Sequence, residues 1–160
     1  MKTTVLIPVK VLTDAKSRLA GHLTNSERET LVLEMLRHVL QTVKSARADL
    51  NPIIVSSDKK IRNLANSLQI KTLPEIVSGH NEALTKAAQQ VDPFLPLLTL
   101  SADLPLITSQ NIEQMVELGQ DKDVVLAPSK EETGTNALLL RKPLFLPYVF
   151  GINSLKKFIG

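Results

Sequence analysis

Three cations, Lys10, Lys16 and Arg18, fall in one loop with the hydroxyl of Ser17 between the last two. The loop, Lys10-Val11-Leu12-Thr13-Asp14-Ala15-Lys16-Ser17-Arg18-Leu19, has no glycine. A phosphate loop ordinarily uses glycines to bring backbone N–H groups close to the anion, so here side-chain cations must supply the attraction. An Arg can bind a phosphate through two parallel hydrogen bonds and a Lys as a point charge, and together they could surround a triphosphate. A solvated basic surface loop would have the same composition. Farther on, the apolar run Leu98-Thr99-Leu100-Ser101-Ala102 ends in a carboxylate, Asp103, and Pro105 follows. An acid at the carboxyl end of a buried strand is placed to hold a metal ion on a phosphate, and equally to cap a turn. Asn81, at the start of an apolar-periodic stretch, offers an amide to a base or ribose, or a helix cap.

These residues need a scaffold, and the pattern predicts one. Thr3 to Val9 reads as a buried first strand that delivers Lys10. Thr24-x-x-Glu27 is a capping box, after which Val32, Met35, Leu36, Val39, Leu40 and Val43 recur at helical spacing. His38 lies in that helix beside Arg37 and receives no role, because a lone His there is ordinarily a partly exposed surface residue. Pro52 to Val55 is a second strand with Ser56-Ser57-Asp58 at its end, Lys59 to Leu68 a helix, and Ile70 to Leu73 a third strand closed by Pro74-Glu75. A helix opens at Gly79-His80-Asn81, and Leu95 to Ala102 forms the central strand that carries Asp103. Thr108 to Leu118 is helical, with Thr108 or Ser109 as cap, and Val124 to Ala127 and Asn136 to Leu140 are two more strands. Alternation of strand and helix predicts an α/β domain with a mainly parallel sheet covered by helices on both faces. The segment 143–148 is irregular and apolar, and the glycine and hydroxyl of Phe150-Gly151-Ile152-Asn153-Ser154 suit a turn and a helix cap.

At 160 residues and 43% apolar, the chain has material for one domain, 1–160, with one core. It carries a net charge of +3 with a pI near 9.2, aromatic content of 3%, no Trp and one Tyr, a balance that favours a small anionic ligand over nucleic acid. Without Cys there is no thiol nucleophile and no thiolate metal site. No leader pattern and no apolar run of membrane-spanning length is present, so a soluble cytoplasmic protein with no membrane partner is expected. The chain stops at Gly160 inside the start of a helix, which suggests further sequence.

Seven motifs in order resemble the 2-phospho-L-lactate guanylyltransferases, relatives of the molybdenum-cofactor guanylyltransferases: Ile7-Pro8-Val9-Lys10, Ala15-Lys16-Ser17-Arg18-Leu19, Leu73-Pro74-Glu75, Gly79-x-Asn81-x-Ala83, Ala102-Asp103-Leu104-Pro105-Leu106, Gly134-Thr135-Asn136-Ala137-Leu138 and Phe150-Gly151-x-x-Ser154. The resemblance implies a three-layer, Rossmann-like nucleotidyltransferase fold of the nucleotide-diphospho-sugar transferase type. It implies a place in the biosynthesis of coenzyme F(420), where archaeal-type members join GTP and (2S)-2-phospholactate to give lactyl-2-diphospho-5'-guanosine and diphosphate. Related members take phosphoenolpyruvate or 3-phosphoglycerate instead.

By the same resemblance Asp103 is the ligand of a Mg²⁺ ion, and Lys10, Lys16, Ser17 and Arg18 surround the triphosphate of GTP, Lys10, Lys16 and Arg18 with a catalytic role. Glu75 and Asn81 sit near the nucleoside, and Thr135, Gly151 and Ser154 hold the phosphorylated three-carbon acid. A second acidic ligand is expected beyond Gly160, with Asp58 and Glu75 as the acids within the chain that could stand in. A homodimer is carried as an expectation only. Two other readings stay open: a GTP-binding module without catalysis, and sugar-nucleotide chemistry. The second is disfavoured because Ser101-Ala102-Asp103 offers one carboxylate where such enzymes commonly carry two.

Overall fold

The computed structural model describes residues 2–9, 21–75, 80–129, 135–143 and 147–148. Ten elements alternate along them: β1 (Thr3–Pro8), α1 (Asn25–Ala46), β2 (Leu50–Val55), α2 (Lys59–Ser67), β3 (Lys71–Leu73), α3 (His80–Gln89), β4 (Leu97–Leu100), α4 (Ser109–Leu118), β5 (Val124–Pro128) and β6 (Thr135–Leu140). They build one six-stranded sheet in the order β3-β2-β1-β4-β6-β5.

β1 is paired on both sides, in parallel, with β2 and β4. Such a strand meets helices on both faces and must be apolar throughout, which is why Val5, Leu6 and Ile7 are all fully buried. Alternate strand residues feed two cores. Val5, Ile7, Ile54, Leu98, Leu100, Ala137 and Leu139 pack against α1, α2 and α4. Leu6, Ile53, Val55, Leu97, Leu138 and Leu140 pack against Ala83, Leu84, Ala87 and Ala88 of α3. This is the expected three-layer α/β arrangement.

The strand directions refine that expectation. β6 runs antiparallel to both neighbours. Only residues 129–134 join β5 to β6, far short of the dozen or so that a parallel crossover needs, so the two strands form a hairpin and β6 enters the sheet reversed. β4 is also shorter than the apolar run suggested, although Thr4 N–H donates to Pro96 O at 3.0 Å and Ser101 N–H to Asn136 O at 3.0 Å, so its ladder continues one residue at each end.

Helix ends follow local chemistry. The capping box of α1 is present: Glu27 N–H donates to Thr24 Oγ1 at 3.1 Å and Thr24 N–H to Glu27 Oε1 at 2.9 Å. The Thr24 backbone N–H, and after it the Thr24 hydroxyl, hold the Glu27 carboxyl below its usual range. Asp58 caps α2 by accepting from Lys60 N–H at 2.9 Å. Thr108 caps α4 in a box where Asn111 takes the part usually played by Glu.

α2 ends in a two-bond motif, Ile70 N–H to Ala65 O at 2.8 Å and Gln69 N–H to Asn66 O at 3.1 Å. It requires a left-handed residue, and Gln69 takes φ 58° in a position that favours glycine. Gln69→Gly is therefore expected to stabilise the fold by about 0.5–1 kcal/mol, the relief of the left-handed strain exceeding the entropy gained by the unfolded chain. A rise of the thermal midpoint checks this; a fall shows that the Gln69 side chain contributes more than its backbone costs.

Candidate active site

Strand register gathers the site. Rungs of the ladders align Leu73 of β3, Val55 of β2 and Pro8 of β1 across the sheet. On the other side of β1, Leu6 pairs with Thr99, and Leu100 of β4 pairs with Ala137 of β6. The four parallel strands and β5 therefore finish along one edge, where β6 begins. Just past that edge lie Glu75, Ser57, Asp103 and Thr135. Neighbouring strands are about 4.8 Å apart, so the axes of β3 and β4 are separated by roughly 14 Å, a span that a nucleoside triphosphate can cover, while β4 and β6 are adjacent. Each helix that follows a parallel strand also starts at this edge, so the positive helix ends face the same region.

Asp103 is exposed at the end of β4. Its N–H donates to Ser101 Oγ at 3.2 Å, so a hydroxyl two residues upstream shapes the turn that presents the carboxylate. The turn continues with Ile107 N–H donating to Leu104 O at 3.3 Å, and His38 on α1 secures it from outside. The His38 ring is 2.9 Å from Ile107 O through Nε2. A carbonyl only accepts, so Nε2 carries the proton. His38 is partly exposed, as expected, and it ties the first long helix to the turn after Asp103, a structural role the sequence reading did not assign.

Glu75 is half-buried at the end of β3, and the Ser57 hydroxyl clamps its backbone twice. Ser57 Oγ donates to Glu75 O at 3.1 Å and accepts from Glu75 N–H at 3.0 Å. Asn81 is the second residue of α3, so it sits inside the first turn and not at the capping position. Its carbonyl accepts from Thr85 Oγ1 at 2.9 Å. Thr135 opens β6 opposite Pro128, next to an irregularity in the ladder between Ala127 and Pro128. Ser101 N–H donates to Asn136 O, which puts Thr135 beside the turn that carries Asp103.

The structure therefore brings Asp103 and Thr135 together, and places Glu75 and Asn81 along the same edge nearer β3. Lys10, Lys16, Ser17, Arg18, Gly151 and Ser154 lie outside the described residues. Sequence reasoning passed over Ser101, Ser57 and His38. Hydroxyls two residues before an acid are a readable turn signal, whereas the other two act across the fold.

The fit of Mg²⁺ can be judged on the donors present. Among the described residues no three His, Cys, Asp or Glu side chains come together as a metal cluster. Mg²⁺ is commonly held by one or two carboxylates with substrate phosphates completing the shell, and Asp103 supplies a carboxylate, on a residue exposed at the end of β4, of the kind that arrangement uses. Asp58 is a poor stand-in for a second ligand, since its carboxylate already caps α2.

Beside the Asp103 turn opens a cavity of about 530 Å³ lined by Leu100, Leu104, Ile107 and Met115, with Asn111 and Asn136 at its polar side. Among the described residues its lining carries no ionisable side chain. No helix among the described residues is long and apolar enough to cross a membrane.

Phosphoenolpyruvate guanylyltransferase of Chloroflexus aggregans is 36% identical over 98% of this chain and 80% of its own length. The enzyme of the same name from Thermobaculum terrenum is 37% identical over 99% and 69%. 2-Phospho-L-lactate guanylyltransferase of Methanocaldococcus vulcanius is 36% identical over 86% of this chain and 60% of its own. In fold, the chain is similar to a nucleotide-diphospho-sugar transferase structure from Desulfovibrio desulfuricans G20, with a TM-score of 0.76, 20% identity, and coverage of 92% of this chain and 67% of that one. Residues 3–159 match the family described as Guanylyl transferase CofC like, and the chain belongs to that family of nucleotidyltransferases.

Proposed function

We propose that this protein transfers GMP from GTP to the phosphate of a phosphorylated three-carbon acid, releasing diphosphate. The observation that carries the reading is the row of Glu75, Asp103 and Thr135 past one edge of the sheet, with Asn81 at the start of the helix after Glu75. A nucleoside would lie toward β3, the phosphates toward β1 and β4, and the acid beside β6.

An oxygen of the acid's phosphate attacks the α-phosphorus of GTP. A new P–O bond forms, the bond to the bridging oxygen breaks, and diphosphate leaves with the electron pair. A phosphate oxygen is ionised at neutral pH, so no protein nucleophile is required, and positioning with charge neutralisation does most of the work. Asp103 would hold a Mg²⁺ ion, which when bound would supply positive charge against that developing on the departing diphosphate. Lys10, Lys16 and Arg18 are assigned to the triphosphate, with Ser17 as a hydroxyl donor. Thr135, Gly151 and Ser154 are assigned to the acid, because small donors approach a carboxylate or phosphate without a bulky side chain intervening.

Phosphoenolpyruvate is the favoured acid, since the relatives that carry its name cover 98% and 99% of this chain. (2S)-2-Phospholactate is the second reading, supported by relatives of that name at 33–36% identity. The test is diphosphate release by the full-length protein with GTP or ATP, Mg²⁺, and phosphoenolpyruvate, (2S)-2-phospholactate or 3-phosphoglycerate in turn. Release that needs GTP, metal and one acid together is expected. GTP binding without release in any combination overturns the reading in favour of a binding module.

A further inference from the structure

One flank of the turn that carries Asp103 is open. Leu104, Pro105, Leu106 and Ile107 line the cavity of about 530 Å³, and Leu106 is 89% exposed, so among the described residues little packs against them from that side. Hydrogen bonds must then hold the backbone in place. Upstream, Asp103 N–H reaches Ser101 Oγ at 3.2 Å, and the turn closes on itself through Ile107 N–H to Leu104 O at 3.3 Å, a long bond of its kind. The shortest of the three described bonds comes from outside the turn, His38 Nε2–H to Ile107 O at 2.9 Å.

The post that offers this bond is rigid. His38 stands on α1 beside Leu36, Val39 and Leu40, each fully buried, and its own carbonyl accepts from Thr42 Oγ1 at 2.7 Å. The carbonyl it holds is one that α4 leaves unused, because the first turn of that helix bonds to Thr108 O, from Asn111 N–H at 3.1 Å and Ile112 N–H at 3.4 Å. His38 thus pins the joint between the Asp103 turn and the cap of α4. Only three residues, one of them Pro105, separate Asp103 from Ile107, so a shift of the joint passes along a stiff stretch to the carboxylate.

We propose that His38 is a positioning residue for the metal-binding carboxylate: its bond to Ile107 O holds the downstream end of the turn as the Ser101 hydroxyl holds the upstream end, and so sets where Asp103 stands. The proposal rests on the assignment of Asp103 to Mg²⁺. His38 touches neither metal nor substrate and acts through the turn. A metal ligand has to be held within about 0.5 Å of its productive place, and outer hydrogen bonds of this kind do the holding.

Three variants of the full-length protein test it. His38→Leu removes the donor, His38→Asn leaves an amide too short to reach Ile107 O and serves if the Leu variant does not fold, and His38→Gln puts an amide N–H near the place of Nε2–H. Calorimetric titration with GTP, once with Mg²⁺ and once with EDTA, reads the contribution of the metal. The factor by which Mg²⁺ tightens GTP is expected to shrink about threefold to tenfold in His38→Leu and His38→Asn, the range for one neutral hydrogen bond, and to return in His38→Gln, with the affinity in EDTA within about twofold of the parent throughout. The Mg²⁺ concentration for half-maximal diphosphate release should rise by the same factor, while kcat at saturating Mg²⁺ stays near that of the parent. An unchanged Mg²⁺ factor without the donor, a loss that Gln fails to restore, or an equal loss of affinity in EDTA each overturns the proposal. Should Mg²⁺ leave the parent's affinity for GTP unchanged, the metal assignment of Asp103 fails by itself, and amide exchange then decides what His38 does. Exchange over residues 103–108 should be faster in His38→Leu and His38→Asn with β1 unchanged, and equal exchange there overturns the anchor.

Discussion

Asp103→Asn is expected to abolish diphosphate release, a loss of about 10²–10³ or more in kcat, while the thermal midpoint stays near that of the parent. Asn is close to isosteric with Asp, so the Asp103 N–H bond to Ser101 Oγ, which depends on the backbone, survives the change. The residue is exposed, so little packing is disturbed. What is lost is the charge: a carboxamide oxygen is a much weaker ligand for a hard divalent cation than a carboxylate. The change should also raise the Mg²⁺ concentration needed for any residual turnover. Full turnover in the variant would remove Asp103 from the mechanism; loss of turnover with loss of fold would assign it a structural role instead.

Leu6→Ala is the largest stability change expected. Leu6 sits fully buried in β1 and pairs with Ile53 of β2 and Thr99 of β4, at the centre of the core facing α3. Replacing a Leu at such a site by Ala costs about 2–5 kcal/mol through lost transfer energy and the cavity left behind. Against a total stability of about 5–15 kcal/mol, this removes a large part of the margin. Phe94→Ser, at a side chain that is 86% exposed, should change stability by no more than about 0.5 kcal/mol. Urea titration separates them: the midpoint falls for Leu6→Ala with an unchanged slope, and both stay put for Phe94→Ser. Equal midpoints would show that β1 is not the keystone of the sheet.

Much of the scaffold was legible because its signals are local. The apolar runs of β1 and β2, the Thr24–Glu27 box and the spacing of Val32, Met35, Leu36 and Val39 each lie within a few turns or rungs of chain, where period and propensity act. The reversed direction of β6 depends on loop length and on which strand it joins, and an apolar pentapeptide looks the same in either direction. Asn111 closing the cap of α4 replaces the usual Glu or Gln, so its motif was only half visible. The contacts that hold the candidate site escaped for a stronger reason. His38 and Ile107 are 69 residues apart, and Ser57 and Glu75 are 18 apart, separations that no periodicity connects. Asp103 was visible as an acid after a strand, but its neighbour Thr135 became one only through the register of β4 with β6.

The sheet order also sets a schedule. β1 pairs early with β2, but its other edge waits for β4, since Thr4 is matched with Leu97. At a synthesis rate of about 5–20 residues per second, the β3-β2-β1 half of the sheet is made roughly 1–5 s before the strand that closes it, Leu73 preceding Leu97. During that interval the apolar edge of β1 is a template for any passing strand, its own kind included. Of the elements made meanwhile, α3 is the one that packs on β1 and β2 from the face opposite α1 and α2. Its small, alanine-rich face can settle on that face of the half-sheet, leaving the edge itself open until Leu97 arrives.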